Sequence, residues 1–130
     1  MAIAVTSDNN NRQKNGGRII VRNSSGIPYI IEEDYTNGAI RVFKGNSTTP
    51  TSFAEQDSAN NPDNVAFGSS SAAIDSANII HIVYGDYITK SSDLEYVQFN
   101  TGTNVFQNAA TINADLGEED TNITNISTGI

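Results

Sequence analysis

Ile74-Asp75-Ser76-Ala77-Asn78-Ile79-Ile80-His81-Ile82-Val83-Tyr84 decides the fold: an apolar end, a bend of small polar residues, then a run of β-branched and aromatic side chains. Laid on it, Val21-Arg22-Asn23-Ser24-Ser25-Gly26-Ile27-Pro28-Tyr29-Ile30-Ile31 has the same order of parts. Each reads strand, turn, strand. Val, Ile and Tyr fit a pleated, half-buried surface, whereas Ser, Asn, Asp and Gly bend the chain and satisfy their own backbone in doing so.

The correspondence runs outward from there. Glu33-Asp34-Tyr35 faces Gly85-Asp86-Tyr87, Ile40-Arg41-Val42-Phe43-Lys44 faces Leu94-Glu95-Tyr96-Val97-Gln98, and Thr51-Ser52-Phe53 faces Asn104-Val105-Phe106. The spacing stays at 52 to 54 residues, and self-similarity at such a period marks a solenoid, a propeller or an array. Repeats are expected over about residues 17–70 and 71–122, in one all-β domain spanning 1–130, with a partial third repeat at 123–130 in Ile126-Ser127-Thr128-Gly129-Ile130. No window keeps a helical period, so each unit reads as an antiparallel meander. Thr36-Asn37-Gly38 predicts a hairpin, because Asn-Gly takes the positive φ values of a tight type I′ turn. The unbroken run Ile79–Tyr84 suits a strand covered on both faces. Ala54 to Ser71 reads as the least structured stretch, a connection between units.

Composition narrows the partners. Fifteen acidic against seven basic side chains give a net charge of −8 in 130 residues. That charge repels phosphate backbones and anionic head groups and removes the electrostatic term on which nucleic-acid binding depends. Without cysteine there is neither a disulfide framework nor a thiolate metal site, so the core or neighbouring chains must hold the fold. Met1-Ala-Ile-Ala-Val-Thr-Ser reads neither as a signal peptide nor as a membrane span. No membrane insertion, cofactor or metal is expected.

Ile74-Asp75-Ser76, His81-Ile82-Val83-Tyr84-Gly85-Asp86 and Leu94-Glu95-Tyr96 together resemble a blade of the sialidase-like (BNR-repeat) β-propellers. Gly17-Arg18-Ile19, Tyr29-Ile30-Ile31 and Ile40-Arg41-Val42-Phe43-Lys44 leading to Phe53 resemble it in the first copy. The resemblance implies two blades per chain, completed by oligomerisation, since propellers close with four to eight. A ring of three chains is the favoured form; the alternative is a single β-sandwich of about eight strands. The family's Asp-box would fall near Gly45 to Phe53, where its Asp and Trp are missing. Its three converging arginines would have to come from Arg12, Arg18, Arg22 and Arg41 alone. Sialidase-type catalysis by one chain is therefore not expected.

Individual residues give the remaining expectations. Tyr35 and Tyr87, each following an acidic residue, Asp34 and Asp86, beside a turn, are the candidate ligand-binding positions, for which a glycan is the fitting partner because tyrosine pairs an apolar ring with a hydroxyl. The other tyrosines, Tyr29, Tyr84 and Tyr96, read as core. His81, the lone histidine, reads as a structural residue satisfied at the interface between repeats. Glu32-Glu33-Asp34 and Glu118-Glu119-Asp120 read as solvated loop charge, and Asp57 to Asn64 as turn chemistry, since neither has the spacing of a calcium loop. The expected function is a non-catalytic, self-assembling structural or binding module with an extracellular or virion-surface setting. Glycans or other surface proteins are its expected partners besides its own copies, and the alternatives are a lectin-like module and a glycosidase whose site forms between subunits.

Overall fold

The computed structural model describes residues 19–34, 37–63, 70–88 and 91–113. They form two four-stranded antiparallel sheets, each a meander in sequence order. The first contains β1 (Ile19–Arg22), β2 (Pro28–Asp34), β3 (Ala39–Gly45) and β4 (Phe53–Gln56). The second contains β5 (Ser71–Ile74), β6 (Ile79–Ile88), β7 (Ser91–Asn100) and β8 (Val105–Asn113). The partial third repeat, Arg18 and Glu118-Glu119-Asp120 lie outside the described residues.

The first hairpins of the two sheets are built alike, bond for bond. Asn23 N–H donates to Ile27 O and Gly26 N–H to Asn23 O at 3.1 and 2.8 Å; Asp75 N–H donates to Ile79 O and Asn78 N–H to Asp75 O at 3.0 and 3.1 Å. Gly26 and Asn78 hold the same corner with φ of 76° and 65°, the left-handed region that only Gly, Asn and Asp enter at small cost. Arg22 then opposes Pro28 as Ile74 opposes Ile80. Further out, Tyr29 opposes Lys44 as His81 opposes Gln98. Gly45 opposes Phe53 as Phe99 opposes Phe106.

Opposed residues share a face of a sheet, so the registers show which faces meet. The core joins Tyr29, Ile31, Ile40 and Val42 of the first sheet to Ile80, Ile82, Tyr84, Val97 and Phe99 of the second, with Ile74 and Phe106 packed alongside. Each fully buried aliphatic side chain here contributes about 1.5–3 kcal/mol by leaving water. The rings of Tyr29 and Phe99 sit 6.1 Å apart across the interface, and Phe106 meets Phe99 edge-on at 5.2 Å. By hairpin position, however, Tyr29 corresponds to His81, not to Ile80 or Ile82. The front of the first sheet therefore packs on the back of the second. Like ends also lie together: β1 neighbours β5, and Ser24 N–H donates to Asn78 Oδ1 at 2.6 Å, turn upon turn.

Several expectations are corrected. Ile79–Tyr84 is covered on one face only: Ile80, Ile82 and Tyr84 are buried, whereas Ile79, His81 and Val83 are partly open. Ala54–Gln56 are not connection but the body of β4, opposing Val42, Phe43 and Lys44, and Ser58–Asn60 make a 3-10 turn. That turn region closes over its neighbours: Ile40 N–H donates to Pro62 O at 2.9 Å, and Phe106 N–H to Asp57 Oδ2 at 2.8 Å. Glu32-Glu33-Asp34 is strand, not loop, and Glu32 is buried; Glu33 Oε1 accepts from Ser70 N–H at 2.7 Å. β2 and β3 pair as the expected hairpin requires, up to Asp34 opposite Ala39, with Gly38 at φ 61°; residues 35 and 36 of its turn lie outside the described residues.

Candidate functional site

Asp75 opens the turn between β5 and β6. Its Oδ1 accepts the backbone N–H groups of Ala77 and Ile79 at 2.9 and 2.8 Å, the local bond that draws Asp into such bends. Asn23 does the same in the first sheet, accepting from Ile27 N–H at 2.9 Å. A carboxylate, unlike an amide, has a second oxygen that only accepts. Asp75 Oδ2 lies 3.1 Å from His81 Nε2.

From there a chain of polar groups crosses the face of the second sheet that is turned away from the first. Because Asp75 can only accept, Nε2 of a neutral imidazole carries the proton, and Nδ1 is left to accept the Tyr96 hydroxyl at 2.6 Å. Tyr96 Oη in turn accepts from Gln98 Nε2 at 2.8 Å. Gln98 Oε1 accepts from Gln107 Nε2 at 3.2 Å and from Asn108 Nδ2 at 2.7 Å. Asn108 sits at φ 51° beside a register shift between β7 and β8. The His81 and Tyr96 rings stack with centroids 5.9 Å apart. Each donor has one acceptor, so the six side chains form a single directed relay.

The relay is partly wet: the side chains of His81 and Asp75 are 25% and 26% exposed. The carboxyl of Asp75 is held below its ordinary value, first by the Ile79 N–H and then by the hydrogen bond from His81. An acceptor, an imidazole and a hydroxyl in line are the arrangement in which a base takes a proton from a nucleophile. Neither described arginine is directed to it. Arg22 Nη1 donates to Gly26 O and Thr48 O at 2.7 and 3.0 Å, and Arg41 pairs with Asp34 and Glu55. Among the described residues no three His, Asp or Glu side chains gather as a metal centre requires, and no helix is long and apolar enough to cross a membrane.

His81 was expected at the interface between repeats; it is satisfied, but on the opposite face. Asp75, six residues earlier, reaches it because the turn folds the chain back, and Tyr96 reaches it across the β6–β7 register. Neither partner is adjacent in sequence. The signal that would have found them is the alternation Tyr96, Gln98 opposite His81 and Val83. Tyr29 and Tyr84 are core as expected, whereas Tyr96 stands on the open face.

Of the four candidate ligand-binding positions, Asp34 ends β2 with its carboxylate engaged by Arg41, and its Oδ2 accepts from Asn37 Nδ2 at 2.6 Å. Tyr35 lies outside the described residues, as do the side chains of Asp86 and Tyr87, whose backbones oppose Asp93 and Ser92. Asp34 and Asp86 thus stand at like ends of β2 and β6.

Comparison with known proteins returns no matching family model, no matching curated protein and no matching solved structure.

Proposed function

We propose that the chain is a non-catalytic, self-assembling structural or binding module whose two sheets act as propeller-type blades. One observation carries this reading: the two sheets meet front to back, Tyr29 and Ile31 of one against Ile80 and Ile82 of the other. A sandwich closed by an internal two-fold would bring like faces together and leave like faces outside. Front-to-back packing instead leaves unlike faces outward, and repetition of such a heterologous contact closes into a ring when the rotation allows. Three chains would supply six blades, within the range in which propellers close. The resemblance of the repeats to sialidase-like blades agrees with this architecture.

The non-catalytic part of the reading rests on the engagement of Arg22 and Arg41 within the first sheet and on the internal satisfaction of the relay. By composition alone, we assign the module to an extracellular or virion-surface setting. The mass in solution, measured by light scattering on the size-exclusion peak, tests the proposal. A mass of three or more chains supports it; a stable monomer of 13.9 kDa overturns it.

A further inference from the structure

We infer that the end of the relay on β7 and β8 is a binding site for an uncharged sugar, whose hydroxyls are held by the side-chain amides of Gln107 and Asn108. This inference goes beyond the assembly proposed above and does not depend on it.

The site is placed by register. Gln98 opposes Gln107 and Asn100 opposes Val105, so these four side chains share the face of the second sheet that is turned away from the first. Asn108, next along the chain, would point to the other face of a regular strand. It stands instead at φ 51° beside the register shift between β7 and β8, and its Nδ2 donates to Gln98 Oε1 at 2.7 Å. The left-handed region is costly for a residue with a side chain, and bulges recur beside functional sites because they re-aim one. Here the irregularity brings a further amide onto the open face.

The same registers show that this corner stays open when another sheet packs on the face. Gln98 opposite Gln107 corresponds to Lys44 opposite Ala54 in the first sheet. The second sheet lies over that face of the first and buries Tyr29, Ile40 and Val42, yet Lys44 is only half-buried and Ala54 is exposed. Gln107 therefore stands beyond the area that a neighbouring sheet covers.

The chemistry of the corner selects the ligand. Gln98 Oε1 accepts from Gln107 Nε2 and from Asn108 Nδ2, which holds the two amides together. Each spends one N–H on that bond and has a second. Among the described residues nothing donates to Gln107 Oε1 or Asn108 Oδ1. Each amide thus turns one donor and one acceptor to water, the complement of a hydroxyl, which accepts and donates at once. Two such amides fit two neighbouring hydroxyls of a pyranose. Val105, 39% exposed, and the partly open ring of Tyr96 supply apolar surface for the C–H face of the sugar. Anions find no partner: among the described residues no Lys or Arg stands on this face, and Asp75 at its far end is engaged by His81 and two backbone amides. Because the relay fixes these side chains before a ligand arrives, little rotamer freedom remains to be lost on binding.

Two substitutions remove the amides and keep the backbone. Asn108→Gly suits the left-handed position, and Gln107→Ala reproduces Ala54 of the first sheet. The full chain is labelled and applied to an array of immobilised neutral glycans and their sialylated counterparts, and the neutral glycan best retained is titrated calorimetrically into the native chain and both variants. The expected result is retention of neutral glycans, no gain from sialylation, and affinity weakened roughly tenfold in each variant. Retention of no neutral glycan, or tighter retention of the sialylated forms, would overturn the inference. Variants that bind as the native chain does would place the sugar elsewhere and overturn it equally. A monomeric mass with this pattern of binding intact would overturn the proposed assembly and leave the site standing.

Discussion

The hydroxyl of Tyr29 lies 3.1 Å from the carbonyl oxygen of Thr101, tying β2 of the first sheet to the turn between β7 and β8 of the second. Thr101 is itself anchored, its Oγ1 donating to Asn78 O at 2.9 Å. Asn78 Oδ1 accepts from Ser24 in the first sheet. Two turns of one sheet and one of the other are therefore clasped at a single end of the stack, over an apolar interface that by itself is indifferent to small slips. Hydrophobic burial holds the sheets together; these directional bonds hold their register.

Tyr29→Phe keeps the ring against Phe99 and removes only the hydroxyl. A net loss of about 1 kcal/mol is expected, since Thr101 is buried and its carbonyl loses a donor. In a domain of this size that lowers the midpoint of thermal unfolding by roughly 3–5 °C. Burial pushes the Tyr29 phenol above its ordinary value, only partly offset by the bond to Thr101. The proton is held longer folded than unfolded, so the associated stability is present below about pH 10 and is lost as pH rises through the raised value. Thermal melts followed by circular dichroism from pH 7 to 11 should show the variant less stable at pH 7 but with a shallower alkaline decline. Parallel curves would mean that Tyr29 does not couple to the fold in this way.

Gly26 gives a test of the shared turn. Its φ of +76° is costly for alanine, about 1–2 kcal/mol, and an added Cβ would stand 3.3 Å from Thr48 Cγ2. Gly26→Ala and Gly26→Asn share the Cβ contact, so the difference between them isolates the backbone preference. Asn78 holds the matching corner in the second sheet at φ 65°, and Gly26→Asn is accordingly expected to melt higher than Gly26→Ala. Equal midpoints would count against the equivalence of the two turns.

The all-β class and the meander of each sheet were legible because Asn23 to Gly26 and Asp75 to Asn78 punctuate apolar runs with residues that bend for known chemical reasons. Which face of each strand is covered was not legible. Tyr29-Ile30-Ile31 and Ile79-Ile80-His81-Ile82-Val83 are apolar at odd and even positions alike, so period-two alternation has nothing to separate, and only packing against the other sheet breaks the tie. The relay was hidden for a second reason: Asp75, His81, Tyr96 and Gln98 are joined by a turn and a strand register, neither of which leaves a fixed spacing in the chain. The acidic run Glu32-Glu33-Asp34 misled because charge suggests solvent, whereas Arg41 and the Ser70 amide donate to two of these carboxylates, Asp34 and Glu33, at the end of β2.

Asp75 joins turn and relay, and its titration separates the two roles. Asp75→Asn keeps an oxygen for the Ala77 and Ile79 amides, as Asn23 does for Ile27 in the first sheet, but removes the charge facing His81. The native carboxyl is held below its ordinary value by the Ile79 amide and by His81, so the folded state releases this proton more readily than the unfolded chain. The stability tied to that difference is fully present above the unfolded value, about 3.9, and is lost as pH falls through the lowered folded value. The melting midpoint of the native chain minus that of Asp75→Asn should hold steady from pH 7 to about 5 and then narrow towards pH 2.5. His81→Gln, which lacks the ring N–H that meets Asp75 Oδ2, should show a smaller acid decline than the native chain, because one source of the Asp75 shift is gone. A gap between native and Asp75→Asn that stays constant across the whole range would mean that neither the Ile79 amide nor the bond from His81 favours the charged carboxylate in the folded chain.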